Sequence, residues 1–467
     1  MTFLLFFGAY AALVLAAGLI FRRRMGSLSD FFLAGRTLPA GLIFVSLTAS
    51  WFGATSILVT TDEAFRTGVR AIWIVGAPAV LTVLILAVFL VRPLRRLPIL
   101  TIPDLVELKY GRLVRHLASA LIVWYMVLLA ASQMVALGRF LEGFLGWPYL
   151  GCLALGTAVV LAYSVSGGLR SVVFTDIVQF VLLVAGIAGL LIFLGGRIEP
   201  GALEPAIRTA RGDGYLSFFS DFKTSALMVL SFTLAWTISP IALQRIRAGR
   251  SEEAARTGLF AAAAMLALLY AAVVLAGILA LPLFGGVGPE ETLLSAIIRT
   301  KAGAALGGLL FSTVLAALLS TMDTAINTGA LSLTRDVIDQ IRPRAAERPV
   351  LFSRLATVAV GAAAFLAATG FRSILQTIGL ASEIMAEGLF IPGMAMIFMK
   401  RRAPLAGLLS LSLGGGFSIL SFLSSLGILS LHLPAWPHSV PYGLGLSLLG
   451  FGIGIVRLRL GKKCRGL

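Results

Sequence analysis

An all-α polytopic membrane protein is the fold class this sequence predicts, and three observations predict it. Hydrophobic residues make up 58% of the 467, charged residues only 13%, and the mean hydropathy is +0.98, far outside the range of soluble globular chains. Apolar runs long enough to span, at about 20 residues each, recur about thirteen times. Lysine and arginine gather in alternate connections, as they do on the cytoplasmic side of membrane proteins.

The runs fall near 3–21, 38–60, 71–91, 116–144, 148–165, 172–195, 224–243, 257–284, 302–332, 351–370, 373–399, 404–427 and 438–457. The first has its arginines after the apolar stretch and lacks a basic start, so it is expected to be a retained helix and not a cleaved signal. Basic groups follow in alternate loops: Arg22–Arg24 and Arg36, then Arg92 to Arg115, Arg170, Arg245 to Arg256, Arg335 to Arg354, Lys400–Arg402 and the tail RLRLGKKCR. About 28 of the 38 basic residues thus lie on one side. Taking that side as cytoplasmic puts the N-terminus outside and the C-terminus inside an inner (plasma) membrane.

That topology accounts for the net charge of +17, because anionic inner-leaflet lipid attracts such loops, and no nucleic-acid partner is needed. Cys152 and Cys464 suggest neither a disulfide nor a metal site. No segment resembles a soluble domain, no G-x-x-x-x-G-K-[ST] phosphate loop occurs, and nothing points to an enzyme or to an obligatory protein partner. One membrane domain is expected, and any uphill movement of solute requires a gradient.

Two spans look interrupted. The run 38–60 carries Gly53 and a polar cluster at its middle, and the run 224–243 carries Ser239 and Pro240 in the corresponding region. They are the second and seventh spans and open two successive groups of five. Paired broken helices at matching places in two halves point to a midplane binding site in an inverted-repeat transporter, although glycine and proline also simply kink spanning helices.

The run 302–332 keeps Ser320, Thr321, Asp323, Thr324, Asn327 and Thr328 in an otherwise apolar stretch. Ser320, Asp323, Thr324 and Asn327 recur at helical spacing on one face. A carboxylate at membrane depth is costly, so such residues face a packed interior, a water path or an ion.

Six motifs then carry a resemblance: DFFLAGR (30–36), SLTASWFGA (46–54), TIPDLVELKYG (101–111), YSVSGGLRSVVFTDIVQ (163–179), ALQRIRAGRSEEAA (242–255) and AALLSTMDTAINTGALSLTRD (316–336). In this order the chain resembles the sodium/solute symporters, which include proline, sugar, sialic-acid and choline carriers, over roughly residues 30 to 340. The resemblance implies the five-plus-five inverted repeat of the LeuT fold. Here that means an extra N-terminal helix in 1–25, one repeat in 38–195, a second in 224–399 and two extra helices in 404–457.

It also implies sodium as the coupling ion and a small organic solute as cargo. The positions matching the family's sodium ligands are the carbonyls of Ala49, Phe52 and Ala317 and the hydroxyls of Ser320 and Thr321. The other reading of those hydroxyls is that they bond back to carbonyls one turn earlier and pack between helices. Asp176 matches an acidic residue associated with sodium release or an additional sodium position; capping a helix on the basic side is its alternative. Asp323 either extends that ion path or bonds across helices.

Solute-site candidates are Trp51, Thr55, Ser56, Gln133, Trp236, Ser239, Gln376 and Glu383, with Glu387 on the face of Glu383. Trp51 stands where the proline carriers have an acidic residue, and TASW is similar to the choline branch, whose rings cage a quaternary ammonium. That branch's second-helix tryptophan is replaced here by Ser239, with Trp236 one turn away, and Asp62 departs from a common glycine, where it would steer a cation. A choline-like amine is therefore left open. So are a proton-coupled carrier of the same fold using Glu383, Glu387 or Asp176, and a non-transporting sensor or channel.

Overall fold

A computed structural model describes residues 2–21, 28–97, 99–211, 214–284, 291–341, 348–371, 373–399 and 401–463. Arg22–Arg24, Arg342, Arg344, Lys400 and Cys464 lie outside them. All thirteen expected segments are helical. In lipid a backbone satisfies its polar groups internally, which leaves helices as the only open-chain solution; no named strand occurs among the described residues.

In chain order the helices are α1 (Thr2–Phe21), α2 (Ala40–Trp51), α3 (Thr60–Thr67, entered through a π-helical turn Thr55–Val59), α4 (Gly76–Ile85), α5 (Arg112–Leu145) and α6 (Tyr149–Gly195). They continue as α7 (Phe222–Thr237), α8 (Pro240–Ala248), α9 (Glu252–Leu279), α10 (Leu293–Thr300), α11 (Ala304–Ser332), α12 (Pro349–Gly370), α13 (Ile374–Ile384), α14 (Phe390–Phe398), α15 (Pro404–Ser425) and α16 (Val440–Lys463). Among the described residues nine helical stretches pass as spans by length and hydropathy, and the bent pair α7 and α8 makes a tenth. Three more expected spans, in Thr2–Ala16, Ala40–Trp51 and Tyr149–Val165, are apolar but shorter than that test demands.

Local chemistry sets the breaks. At Phe52 the backbone leaves helical geometry (φ −102°, ψ 69°), so the N–H of Ser56 reaches Gly53 O at 3.1 Å instead of the Phe52 carbonyl an unbroken helix would offer. At Ser239 the chain is extended and Pro240, which has no N–H to lose, starts α8 at 43° to α7. Within α6 the expected spans 148–165 and 172–195 are separated at Gly168 (φ 54°), where a β-carbon would lie 2.5 Å from the Phe31 carbonyl; only glycine fits that turn.

The long helices α5, α6, α9 and α11 pack around the two broken ones. α11 is the most enclosed: every residue from Thr313 to Ser332 is buried. The π-helical turn that continues it, Leu333–Ile338, is tied to α5 by Arg115, which meets Asp336 at 3.2 Å and also Asp104 at 3.0 Å and Glu107. The two broken spans touch at one end through a backbone pair, Leu38 N to Ala248 O at 3.0 Å and Arg250 N to Leu38 O at 2.8 Å.

Candidate functional site

The break at Phe52–Gly53 lies against the polar turn of α11. Ser320 Oγ donates to the Ala49 carbonyl at 2.8 Å and to Ala317 O at 3.1 Å, and Thr321 Oγ1 donates to Ala317 O at 3.3 Å. A β-carbon on Gly53 would fall 2.6 Å from Thr321 Oγ1 and 2.6 Å from Gln133 Oε1, so α2 closes on α5 and α11 at a residue without a side chain. Ala49, Ala317, Ser320 and Thr321 are therefore one cluster, and Phe52 precedes Gly53 at the break.

Both readings of the hydroxyls share this geometry, because the back-bonds to Ala317 are formed and Ser320 also reaches across to Ala49. Hydroxyls that now donate have lone pairs to spare. On turning toward a hard cation, which takes neutral oxygens when several converge, they would add to three carbonyls. Gly53→Ala, whose methyl would intrude on this cluster, is expected to raise the half-saturating sodium concentration about tenfold or more, a loss of about 1.4 kcal/mol; sodium titration of the melting temperature checks it.

One turn further along α11 lies a second polar layer. Arg245 of α8 is fully buried; it donates from Nη2 to Thr324 Oγ1 at 2.9 Å and Ser50 Oγ at 3.1 Å, from Nη1 to Gln244 Oε1 at 2.9 Å and from Nε to Ser46 Oγ at 3.2 Å. Asp176 faces it at 3.7 Å and accepts from Ser46 Oγ at 2.5 Å. Asp323 accepts from Tyr163 OH at 2.6 Å. The other carboxyl oxygen of each aspartate has no hydrogen-bond partner. Asp176 thus sits inside the bundle beside a guanidinium, away from any helix start, and the capping alternative fails.

Arg245, Arg247 and Arg115, which the sequence places with the loop cations, are buried instead. The physical reason is that each places its terminal guanidinium nitrogens on carboxylates, hydroxyls or carbonyls, as Arg247 does on Arg95 O and Leu97 O at 3.1 and 2.9 Å, although the Nε of Arg115 and of Arg247 has no partner. Position relative to an apolar run does not reveal this, although the motif ALQRIRAG contains both Arg245 and Arg247.

Between the two breaks is a cavity, about 460 Å³ of space not filled by atoms when the solvent at its mouth is included. Trp51, Thr55, Ser56, Gln133, Trp236 and Ser239 all line it, together with Gly53 and Thr321 of the oxygen cluster. The Trp51 and Trp236 rings stand 5.8 Å apart. Gln133 Oε1 accepts from the Ala54 N–H at 2.8 Å and Ser56 Oγ bonds Tyr270 OH at 2.7 Å, whereas the buried Thr55 hydroxyl has no partner. Among the described residues no charged side chain lines the cavity. Tyr125 and Ile378 line it too, and an aromatic or aliphatic residue in an apolar helix gave no sequence signal for that.

Three expected solute contacts lie elsewhere. Gln376 is exposed near the start of α13, and Glu383 and Glu387 are buried but outside the cavity lining. Helical spacing shows that the two glutamates share a face, and that face turns toward α15 and α16. Asp62 does not line the cavity either; its Oδ1 accepts the Leu293 N–H at the start of α10, at 2.7 Å.

Comparison with known proteins adds three findings. A family model described as the sodium:solute symporter family matches residues 31–414, well beyond the stretch the motifs cover. The chain is 26% identical over 440 residues to sodium-coupled monocarboxylate transporter 1 of Xenopus laevis, covering 89% of this chain and 67% of that one, and 25% identical over 441 residues to the sodium/glucose cotransporter of Vibrio parahaemolyticus, covering 84% and 79%. It therefore spans about two thirds of the length of the first of these relatives. A solved structure of a sodium-coupled sialic acid symporter, substrate-bound and outward-open, superposes with a TM-score of 0.81 at 19% identity over 97% of both chains, which establishes the LeuT-type fold.

Proposed function

Because the chain belongs to the sodium:solute symporter family, we propose that it couples inward sodium movement to uptake of a small organic solute by alternating access, and that the solute carries a carboxylate. One observation carries the coupling: Gly53 and Thr321 belong at once to the oxygen cluster and to the cavity wall. Filling one site orders the wall of the other, so ion and solute strengthen each other's binding, and the effect is reciprocal.

The force available is adequate. One charge crossing 100 mV supplies about 2.3 kcal/mol and a tenfold sodium gradient about 1.4 kcal/mol. One sodium would therefore support roughly 500-fold accumulation. The repeats 38–195 and 224–399 would rock about the breaks, with the basic loops cytoplasmic and the N-terminus outside. Ala49, Phe52, Ala317, Ser320 and Thr321 would hold the sodium, and Asp176 with Asp323 would line its way out.

The solute's charge follows from the cavity. Two half-helices begin at its wall, at Thr55 and at Ser239–Pro240, and helix N-termini favour anions. The unpartnered Thr55 hydroxyl points to the same chemistry, as does the monocarboxylate named for the Xenopus relative. An ammonium would have the two tryptophan rings but no carboxylate, since Glu383 lies outside the lining.

The test is thermal stabilisation of purified protein, because a ligand that binds only the native state raises its stability. A small monocarboxylate is expected to raise the melting temperature in sodium and not in potassium, while choline does not; stabilisation by choline alone would overturn the carboxylate reading. Trp51→Leu is expected to weaken carboxylate binding less than about threefold, whereas a caged ammonium, losing about 1–2 kcal/mol, would weaken five- to thirtyfold.

A further inference from the structure

We propose that Glu383 and Glu387, with the hydroxyl of Ser439, form a binding site for a small hard cation at the seam between α13 and the helices α15 and α16. It is separate from the oxygen cluster at the helix break.

Both glutamates are fully buried, and none of their four carboxyl oxygens has a hydrogen-bond partner. Among the described residues no ion pair to either carboxyl is formed; Ser439 neighbours both, Ser421 neighbours Glu383, and Glu383 neighbours Glu387. Ser439, immediately before α16, is fully buried as well. Its hydroxyl lies close enough to act on both carboxyls, yet it makes no hydrogen bond of good geometry to any group. Gly443 sits one turn into α16 with its α-carbon against the Glu387 carboxyl, where any side chain would collide with it. Glu387 itself belongs to a π-helical turn, Met385–Leu389, between α13 and α14, a distortion frequent at functional sites.

Two carboxylates in a spanning region with no counter-charge are costly. A hard cation removes that cost, since carboxylate and hydroxyl oxygens are its preferred ligands. The seam offers up to five such oxygens from three elements. Sodium and calcium share this chemistry, and the experiment separates them. Ile378, on the same helix, lines the solute cavity, so a cation at the seam would set how α13 is held against the accessory helices.

The test uses the full chain in nanodiscs carrying Ser320→Ala and Thr321→Ala, which removes the hydroxyls of the other ion cluster. Its melting temperature is compared in sodium and choline chlorides, in calcium and chelator, and at two pH values. The expected result is a rise with sodium or with calcium that Glu387→Gln abolishes. Ser439→Ala, a milder change, should weaken the same response even if the glutamine variant fails to fold. A melting temperature indifferent to both cations overturns the proposal. So does one that responds to pH alone, which would mean protons satisfy the two acids, and so does a cation response that survives both Glu387→Gln and Ser439→Ala.

Discussion

Removing both hydroxyls of the oxygen cluster, Ser320→Ala with Thr321→Ala, is expected to raise the half-saturating sodium concentration by about a hundredfold or more, because each contact to a charged partner is worth about 1.5–3 kcal/mol. The two hydroxyls are the movable part of the cluster, and the three carbonyls belong to the backbone. Neither substitution opens more than a small void, since Thr321 and Ser320 are replaced by a residue common between packed spanning helices. The protein should therefore stay folded while its sodium response falls. Uptake into proteoliposomes across a sodium series, alongside sodium-dependent melting, measures both. An unchanged sodium response in the double variant would place the coupling ion elsewhere.

Arg245→Met is expected to be the most damaging single change to stability. Arg245 holds five polar groups at once: Ser46, Ser50, Thr324, Gln244 and Asp176. Truncating one partner of a buried ion pair costs about 3–5 kcal/mol, because the remaining charge is left uncompensated. Here Asp176 would be left without its cation. Adding Asp176→Asn should recover much of the loss, whereas Asp176→Asn alone should fold and mainly slow turnover. A double-mutant cycle on melting temperature isolates the pair, and no recovery in the combined variant would show that Arg245 acts through its hydroxyl and amide partners instead.

The fold was largely legible because hydropathy and charge are bulk properties of a span. Every apolar run became a helix, and the two interruptions at Gly53 and Ser239 became breaks. The short spans were harder to confirm by length alone: α2 ends at Trp51 because the chain breaks there, and Tyr149–Val165 ends near the turn at Gly168. The cavity wall was legible where polar or aromatic residues stood beside a break, as with Thr55, Gln133 and Trp236. It was not legible for Tyr125, which differs from a packing residue only in what faces it.

Side-chain direction was the main thing the sequence withheld. A spacing of four places Glu383 and Glu387 together but does not say which neighbours that face meets, and the answer turned out to be the accessory helices. Arg245 and Arg115 near the ends of apolar runs look like cations reaching for water, and only tertiary packing shows that their partners are protein groups. Burial of such charges is decided by residues distant in sequence, as Asp336 is from Arg115.

The backbone pair at Leu38, Ala248 and Arg250 has a mechanical corollary. Two peptide hydrogen bonds splice the start of α2 to the end of α8, so these half-helices are a single lever at that end of the molecule. Swinging one outward must carry the other with it, and the pivots left for the swing are the non-helical residues at Phe52 and Ile238–Ser239. The amides of Leu38 and Arg250 should then resist deuterium exchange to the same degree whichever face of the carrier is open, while those flanking the pivots report each stroke.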